Sequence, residues 1–364
     1  MEPTVLVTGG SGFVGSAVVA ALKRQHPKWQ LSVLDLQEPI EPQLQVQYWF
    51  CDITNQTEVE TLIAKIKPTG IIHTAGVVPH LKDRYSREAR QSIFRVNVDG
   101  TRNFVTAARD NNVKAFVWTG SCTAVTDDFS QQYPNIDESW PTSSHSLVYG
   151  ESKTAAEAIV LAASNQHLAT CALRPSVIFG PGDRQLIPAL HACIVNGETP
   201  FAVGDGLNMW DITYVDNVAD AHVLAMENLF STKTAAGQAL FISNEQPLPF
   251  RDFCLAVWKS FGHYPPFQVN IPRRLAASIG VVAEWVTWLT GYPASLSRGS
   301  VQDACQIRYC SGVKAREVLG YKPSVSIEEG IRISCNDFAT RSRMQGRCDS
   351  GRRGRGKRSQ LLLD

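Results

Sequence analysis

Tyr149-Gly-Glu-Ser-Lys153 places a phenol and an ammonium four residues apart, on one face of a helix. A free tyrosine ionises near ~10, too high for a base at neutral pH, and a neighbouring ammonium favours the phenolate. Such a pair could take a proton from an alcohol. Thr8-Gly-Gly-Ser-Gly-Phe-Val-Gly15 supplies a second piece of chemistry. Gly9, Gly12 and Gly15 give G-x-x-G-x-x-G, a spacing variant of the dinucleotide fingerprint. There the backbone turns tightly and a helix start offers N–H groups to a pyrophosphate. Asp35, twenty residues after Gly15, closes the run Leu31-Ser-Val-Leu-Asp35. A carboxylate at that place accepts hydrogen bonds from adenosine ribose hydroxyls and repels a 2′-phosphate. No Lys or Arg follows between Leu36 and Ile40, so NAD is favoured over NADP. Its positively charged nicotinamide ring would add to the pull on the phenolate.

The elements that must position these groups are legible as an alternation. Apolar runs at Val5–Val7, Leu31–Leu34, Val46–Phe50, Gly70–His73, Ala115–Trp118 and Leu168–Leu173 read as strands. Helical patterns fall near Gly12–Gln25, Thr57–Lys67, Ala89–Asn111 and Glu151–Ser164. Repeated β-α units with fully apolar strands predict an α/β fold, a Rossmann-type doubly wound parallel sheet covered on both faces. Residues 1–175 form the NAD-binding domain in this reading, with part of 211–243 returning to it. Residues 176–340, richer in Gly, Pro and aromatic side chains, form mainly a smaller substrate-binding lobe. Residues 341–364 form a basic, disordered tail.

Composition excludes several classes. With 364 residues, 44% apolar and 19% charged, the chain can bury a real core and is not disordered as a whole. A net charge of +1 leaves no footprint for nucleic acid, and none is expected as a partner. The tail holds eight Lys/Arg against two Asp, so it carries +6 and residues 1–340 carry −5. Nine scattered cysteines contain no C-x-x-C pair and no zinc spacing, which predicts reduced intracellular thiols and no metal. A first strand at Thr4–Thr8 leaves no room for a signal peptide, and no run of 18 apolar residues exists. Ile271–Gly291 puts Leu275, Ile279, Val282, Val286 and Leu289 at helical spacing, with Trp285 and Trp288 beside them. It reads either as a helix packed in the lobe or as an interfacial helix on a membrane surface, with Arg273 and Arg274 at the headgroups. The corresponding locations are cytoplasmic, or peripheral on the endoplasmic reticulum membrane or lipid surfaces.

With these residues in place, the chain resembles the extended short-chain dehydrogenases/reductases over about residues 4–338. Further matches are Asp52-Ile53, His73-Thr-Ala-Gly76, Val96-Asn-Val-Asp-Gly-Thr101 and Leu173-Arg-Pro-Ser-Val-Ile-Phe-Gly-Pro-Gly-Asp183. The stretches Phe179–Leu190 and Trp210–His222 are similar to the 3β-hydroxysteroid dehydrogenase branch, nearest to the fungal sterol-4α-carboxylate 3-dehydrogenase type. The resemblance implies Ser121 as the catalytic serine, with Thr123 a second candidate because the usual Ser-Ser pair is Gly120-Ser121. It implies Asp52 and Ile53 at the adenine. Phe13, Val14, Ala75, Gly76 and Pro175 would line the cofactor, and Asn97 would support the catalytic geometry.

Where nucleotide-sugar epimerases often carry an Arg for the diphosphate, this chain has Trp210, an indole suited to a flat apolar ligand. Leu186 and Ile187 suit such a ligand too. The implied reaction is NAD-dependent oxidation of a sterol, steroid or triterpenoid 3β-hydroxyl, with loss of a C4 carboxylate where one is present. An accompanying isomerase would need a second acid/base pair, and none is assignable. The other readings are a nucleotide-sugar epimerase or dehydratase, another ketone or flavonoid-type reductase, and a non-catalytic NAD-binding scaffold. By family analogy the long helices around 89–111 and 151–164 would form a homodimer interface.

Overall fold

The computed structural model describes residues 2–39, 42–79, 83–142, 146–276, 278 and 298–359. Its central sheet has seven parallel strands, in the spatial order Gln238–Ile242, Ala169–Pro175, Ala115–Thr119, Gly70–His73, Thr4–Thr8, Gln30–Asp35, Val46–Phe50. Successive side chains on a strand point to opposite faces, and the apolar runs therefore feed two cores. Val5, Val7, Val33, Ile72 and Val117 pack with Val18, Leu22, Val223 and Met226 on one face. Leu6, Leu34, Ile71, Phe116 and Trp118 pack with Val59, Ile63 and Phe104 on the other. Each such fully buried side chain contributes about 1.5–3 kcal/mol of transfer free energy. Parallel strands buried on both faces are what a run without polar alternation encodes.

Strand order reverses between Thr4–Thr8 and its neighbour Gly70–His73, paired Thr8 to His73 at their carboxyl ends. A crevice for a ligand opens at such a reversal. Thr8 and His73 are also joined by side chains, Oγ1 to Nδ1 at 2.7 Å, and His73 Nε2 lies 3.2 Å from Thr101 Oγ1. Burial lowers the His73 pKa to about 3, so this imidazole is a neutral brace.

The single helix expected over 89–111 is interrupted. Helices Arg90–Phe94 and Thr101–Asp110 flank a π-helical turn, Arg95–Gly100, with Asn97 inside it. Spacing cannot reveal a one-residue widening, and such turns gather at functional sites.

The second lobe is assembled from segments far apart in sequence. Met209–Trp210 lies between Leu248–Pro249 and Arg308–Cys310, and the latter pairs with Tyr133–Ile136 from the first half. Phe179, Tyr214, Phe253, Trp258 and Ile331 form its core. Helix Val215–Phe230 packs back on helix Phe13–Gln25, and Gln238–Ile242 joins the central sheet. Helix Ile327–Ser359 runs past 340, where a disordered tail is expected, because extending a formed helix costs far less than nucleating one. Of the 271–291 segment, residue 277 and residues 279–291 lie outside the described residues. No helix among the described residues is long and apolar enough to cross a membrane.

Candidate active site

Gly9 follows Thr8 directly, with a left-handed φ of 67°. A Cβ there would sit 2.8 Å from the backbone N and Cα of Ala75, and one on Gly15 would sit 2.1 Å from the Gly9 carbonyl oxygen. The turn thus exists only because these positions lack side chains. It closes with the Gly12 N–H donating to the Gly9 carbonyl at 3.0 Å, and helix Phe13–Gln25 begins there. Asp35 accepts from the Ser11 N–H at 3.0 Å and the Gln37 N–H at 3.1 Å, which pins its carboxylate beside the turn. The buried Ser11 hydroxyl has no partner among the described residues.

Phe13 and Val14 open the helix half-buried, and Phe13 approaches Gly182 of the lobe. Asp52 accepts from the Thr54 N–H at 2.9 Å. Ile53 is 6% exposed and packs on Gly100. Ala75 and Gly76 follow the Gly70–His73 strand, half-buried and exposed respectively. Pro175 is buried at the end of its strand, and its carbonyl accepts from the Cys122 N–H at 3.0 Å. A glycine cradle at a helix start, a fixed carboxylate after the second strand and an orphan hydroxyl in the turn fit a dinucleotide.

Ser121 lies just beyond strand Ala115–Thr119, and helix Val148–Ala162 presents Tyr149 and Lys153 on one face. Ser121 and Tyr149 are hydrogen-bonded through their side chains. Thr123 donates to Ser121 Oγ twice, from its N–H at 3.2 Å and its hydroxyl at 2.9 Å. Two donors into one oxygen hold the serine rotamer and leave its own O–H to point into the site. Lys153 donates to the Thr119 carbonyl at 2.8 Å, with Nζ 5.8 Å from the centre of the Tyr149 ring. Asn97, in the π turn, accepts from the Val77 N–H at 2.8 Å. It donates to the Val77 carbonyl at 3.1 Å and to Ser152 Oγ at 3.0 Å. It therefore ties the loop after Ala75-Gly76 to the helix carrying the tyrosine.

Burial pushes the Tyr149 phenol above its ordinary range, against the Ser121 hydrogen bond and the positive charge of Arg84, which pull it down. Burial lowers Lys153 to about 8, opposed by Glu157 one turn further on. Glu157 is held bidentately by Arg174, at 2.8 and 2.5 Å. Asp127 lies under the start of the tyrosine helix, accepting from the Leu147 N–H at 3.0 Å. Burial raises it to about 8 even though that bond and Arg84 oppose the shift.

Arg84 has no sequence signature. It stands in the loop between the Gly70–His73 strand and the π turn, with its partner Asp303 in the far lobe. Asp303 also accepts from the Tyr85 hydroxyl at 2.8 Å and pairs with Arg308. Such a cluster has neither period nor motif, so nothing in the sequence could mark it.

Trp210 requires a correction as a substrate-flanking residue. The indole is 7% exposed and stacks on Phe250 at 4.1 Å. Arg308 lies 3.6 Å from its ring centre, and its N–H donates to the Gln306 carbonyl at 2.8 Å. A side chain so enclosed packs the lobe and has no face to offer. Ile187, 1% exposed, belongs to the same core, with Leu186 packed at its edge. No group of metal-ligating side chains is present among the described residues.

The model of the 3-beta hydroxysteroid dehydrogenase/isomerase family matches residues 6–273. A decarboxylating sterol-4-alpha-carboxylate 3-dehydrogenase of Schizosaccharomyces pombe is 40% identical over 335 residues, covering 90% of this chain and 95% of that one. A 2-alkyl-3-oxoalkanoate reductase of Stenotrophomonas maltophilia is 35% identical, covering 90% of this chain and 97% of its own. Among solved structures, a Bordetella bronchiseptica enzyme in complex with NAD+ superposes with a TM-score of 0.72 at 17% identity. It covers 93% of this chain and 99% of that one, a likeness of fold. The chain is an oxidoreductase acting on CH–OH groups and belongs to the 3-beta hydroxysteroid dehydrogenase/isomerase family.

Proposed function

We propose that the protein is an NAD-dependent dehydrogenase that oxidises the 3β-hydroxyl of a 4α-carboxysterol or a related terpenoid to the ketone, with loss of the C4 carboxylate. The observation that carries this reading is the hydrogen-bonded Ser121–Tyr149 pair, with Lys153 beneath it, at the mouth of the glycine cradle. Sterol-4-alpha-carboxylate and 2-alkyl-3-oxoalkanoate, in the names of the two relatives, share a carboxylate on the carbon next to the reacting one. That shared chemistry supports a β-hydroxy acid as substrate.

Gly9, Gly12, Gly15 and Asp35 hold the dinucleotide, with Asp35 on the adenosine ribose and Lys153 on the nicotinamide ribose. NAD, when bound, supplies the hydride acceptor for C3. Ser121 hydrogen-bonds the substrate hydroxyl, and Tyr149 as phenolate takes its proton. Thr123 holds Ser121, and Asn97 holds the loop and helix in register. In the resulting β-keto acid the C4–carboxyl bond breaks, and its electron pair moves into the enolate of the C3 ketone. Carbon dioxide leaves and C4 takes a proton. No further protein group is required, since the ketone is the electron sink.

In the second lobe, the paired strands Phe201–Val203 and Val269–Ile271 carry exposed Phe201 and Val269, with exposed Phe267 just before the second strand and Leu275 beyond it. Together with Arg273 and Arg274 they support peripheral contact with a lipid surface. A homodimer would form through the helices around 90–110 and 148–162.

The test is cofactor reduction by purified protein with a 4α-carboxy-3β-hydroxysterol, comparing NAD with NADP, beside the Tyr149→Phe variant. The expected result is NADH formation with NAD dominant, and a loss of about 10²–10⁴-fold in Tyr149→Phe with NAD binding retained. Turnover of a UDP-sugar instead, or unchanged activity in Tyr149→Phe, would sink the reading.

A further inference from the structure

His73 ends the strand Gly70–His73 between the cofactor cradle and the π turn, and its ring bonds to both. Nδ1 lies 2.7 Å from Thr8 Oγ1, and Nε2 lies 3.2 Å from Thr101 Oγ1. Counting protons fixes the direction of each bond. A carbonyl cannot donate, so the 2.7 Å contact of Thr101 Oγ1 with the Asn97 carbonyl uses the one hydroxyl proton of Thr101. His73 Nε2 must then donate to Thr101 Oγ1. The fully buried imidazole is neutral and carries one N–H, so Nδ1 accepts and the Thr8 hydroxyl donates to it. With its proton spent, Thr8 Oγ1 takes the Ala75 N–H at 3.3 Å. Thr8, His73, Asn97 and Thr101 are each at most 2% exposed, so a lost partner would leave a buried polar group unpaired.

Both ends of this chain of bonds lie at the site. Thr8 precedes Gly9 of the cradle, and Ala75 is the residue against which Gly9 packs. At the other end, the Asn97 side chain holds Val77 and Ser152, and Ser152 Oγ donates to the Tyr149 carbonyl at 2.8 Å. A Cβ on Gly76 would stand 3.1 Å from Asn97 Oδ1 and 3.8 Å from Lys153 Nζ, so the cofactor loop, the asparagine and the lysine meet there. We propose that His73 is a positioning residue that couples the dinucleotide seat to the catalytic helix, passing the order of Thr8 and Ala75 through its ring to Asn97. The inference rests on the proposed function and adds to it a link between cofactor binding and the placement of Tyr149 and Lys153. His73 itself is enclosed and acts only through its two partners. An imidazole suits the task because one edge accepts, the other donates, and the ring between them is rigid.

The experiment uses the full chain with NAD and a 4α-carboxy-3β-hydroxysterol, and compares wild type with His73→Asn, His73→Gln and Thr101→Val. An asparagine amide reaches the place of Nδ1 and a glutamine amide that of Nε2, so each keeps one half of the chain and cuts the other. His73→Asn and Thr101→Val, cut on the Asn97 side, should lose about 10- to 100-fold in kcat, with the NAD dissociation constant within about 3-fold of wild type. His73→Gln, cut on the Thr8 side, should weaken NAD about 10-fold and lose less in kcat. The double variant His73→Asn/Thr101→Val should be no slower than the slower single one, since both remove the same link. Amide exchange reads the coupling without turnover: NAD should slow exchange over residues 95–100 in wild type and not in His73→Asn or Thr101→Val. Parallel losses of kcat and NAD affinity in both His73 variants, or additive losses in the double variant, would overturn the coupling. So would NAD protection of 95–100 that is absent from wild type or undiminished in Thr101→Val. Valine matches threonine in shape, so Thr101→Val carries the test alone if a His73 variant fails to fold. Should wild type oxidise no sterol, the proposed function falls, while NAD affinity and amide exchange still decide the inference.

Discussion

In the cofactor cradle, Gly9, Gly12, Gly15 and Asp35 lie within one β-α-β unit, and the backbone itself makes the binding surface. Across the crevice, the charges that bear on Asp127, under the start of the tyrosine helix, come from Arg84, Asp303 and Arg308, on segments that only the tertiary fold brings together with it. The cradle is specified by what is absent, a Cβ at each close approach. The lobe side is specified by what is paired, side chain to side chain, at low exposure. A substitution should therefore act on the cradle through sterics and binding, and on the lobe side through charge and stability.

The largest effect is expected at Gly15→Ala. Its new Cβ would meet the Gly9 carbonyl oxygen at 2.1 Å and the Gly9 carbonyl carbon at 2.7 Å, both backbone atoms that cannot swing aside. NAD affinity should fall by more than about 100-fold, since the turn and the helix start it presents move together. Titration of intrinsic fluorescence with NAD measures this. Affinity within a factor of a few of wild type would show that the cradle adapts.

The cradle was legible for the same reason that it is fragile. Glycines at fixed offsets, a following helix and Asp35 at the end of the next strand are local facts of sequence, as is the Tyr149–Lys153 spacing. The six strands read from apolar runs appear within about two residues of those runs, because two-sided burial leaves no polar alternation to blur them. The π turn at Asn97 escapes because a helix and its widened form share one apolar pattern. Trp210 misleads because an indole suited to a flat ligand is equally suited to stacking on Phe250 under Arg308. Arg84 is invisible because its partner Asp303 stands in the other half of the chain.

Arg308→Met probes the lobe side at intermediate size. Arg308 and Asp303 are 8% and 9% exposed at their side chains, and removing the arginine strands a buried carboxylate with only Arg84 and Tyr85. A stability loss of about 3 kcal/mol is expected in urea unfolding. The NAD dissociation constant should not follow, because the cradle shares no partner with this cluster. Parallel loss of stability and NAD affinity would erase the distinction between the two regions.

Asp127→Asn sharpens it at the smallest scale, through pH. Burial raises Asp127 to about 8 in the folded protein, far above an unfolded aspartate near ~3.9. Between those values the folded state holds more protons than the unfolded one, so this group's contribution to stability falls as pH rises from about 4 to about 8. Asparagine cannot ionise, and its side-chain oxygen can still accept from the Leu147 N–H. Wild type and variant should therefore melt close together near pH 5, with the variant gaining by a few degrees toward pH 8. Gly150 passes close to Asp127 Oδ2 at the start of the tyrosine helix, so the two proteins differ there in charge and little in shape. A melting difference that does not change with pH would mean that Asp127 is ionised in the fold, paired with the Arg84 charge.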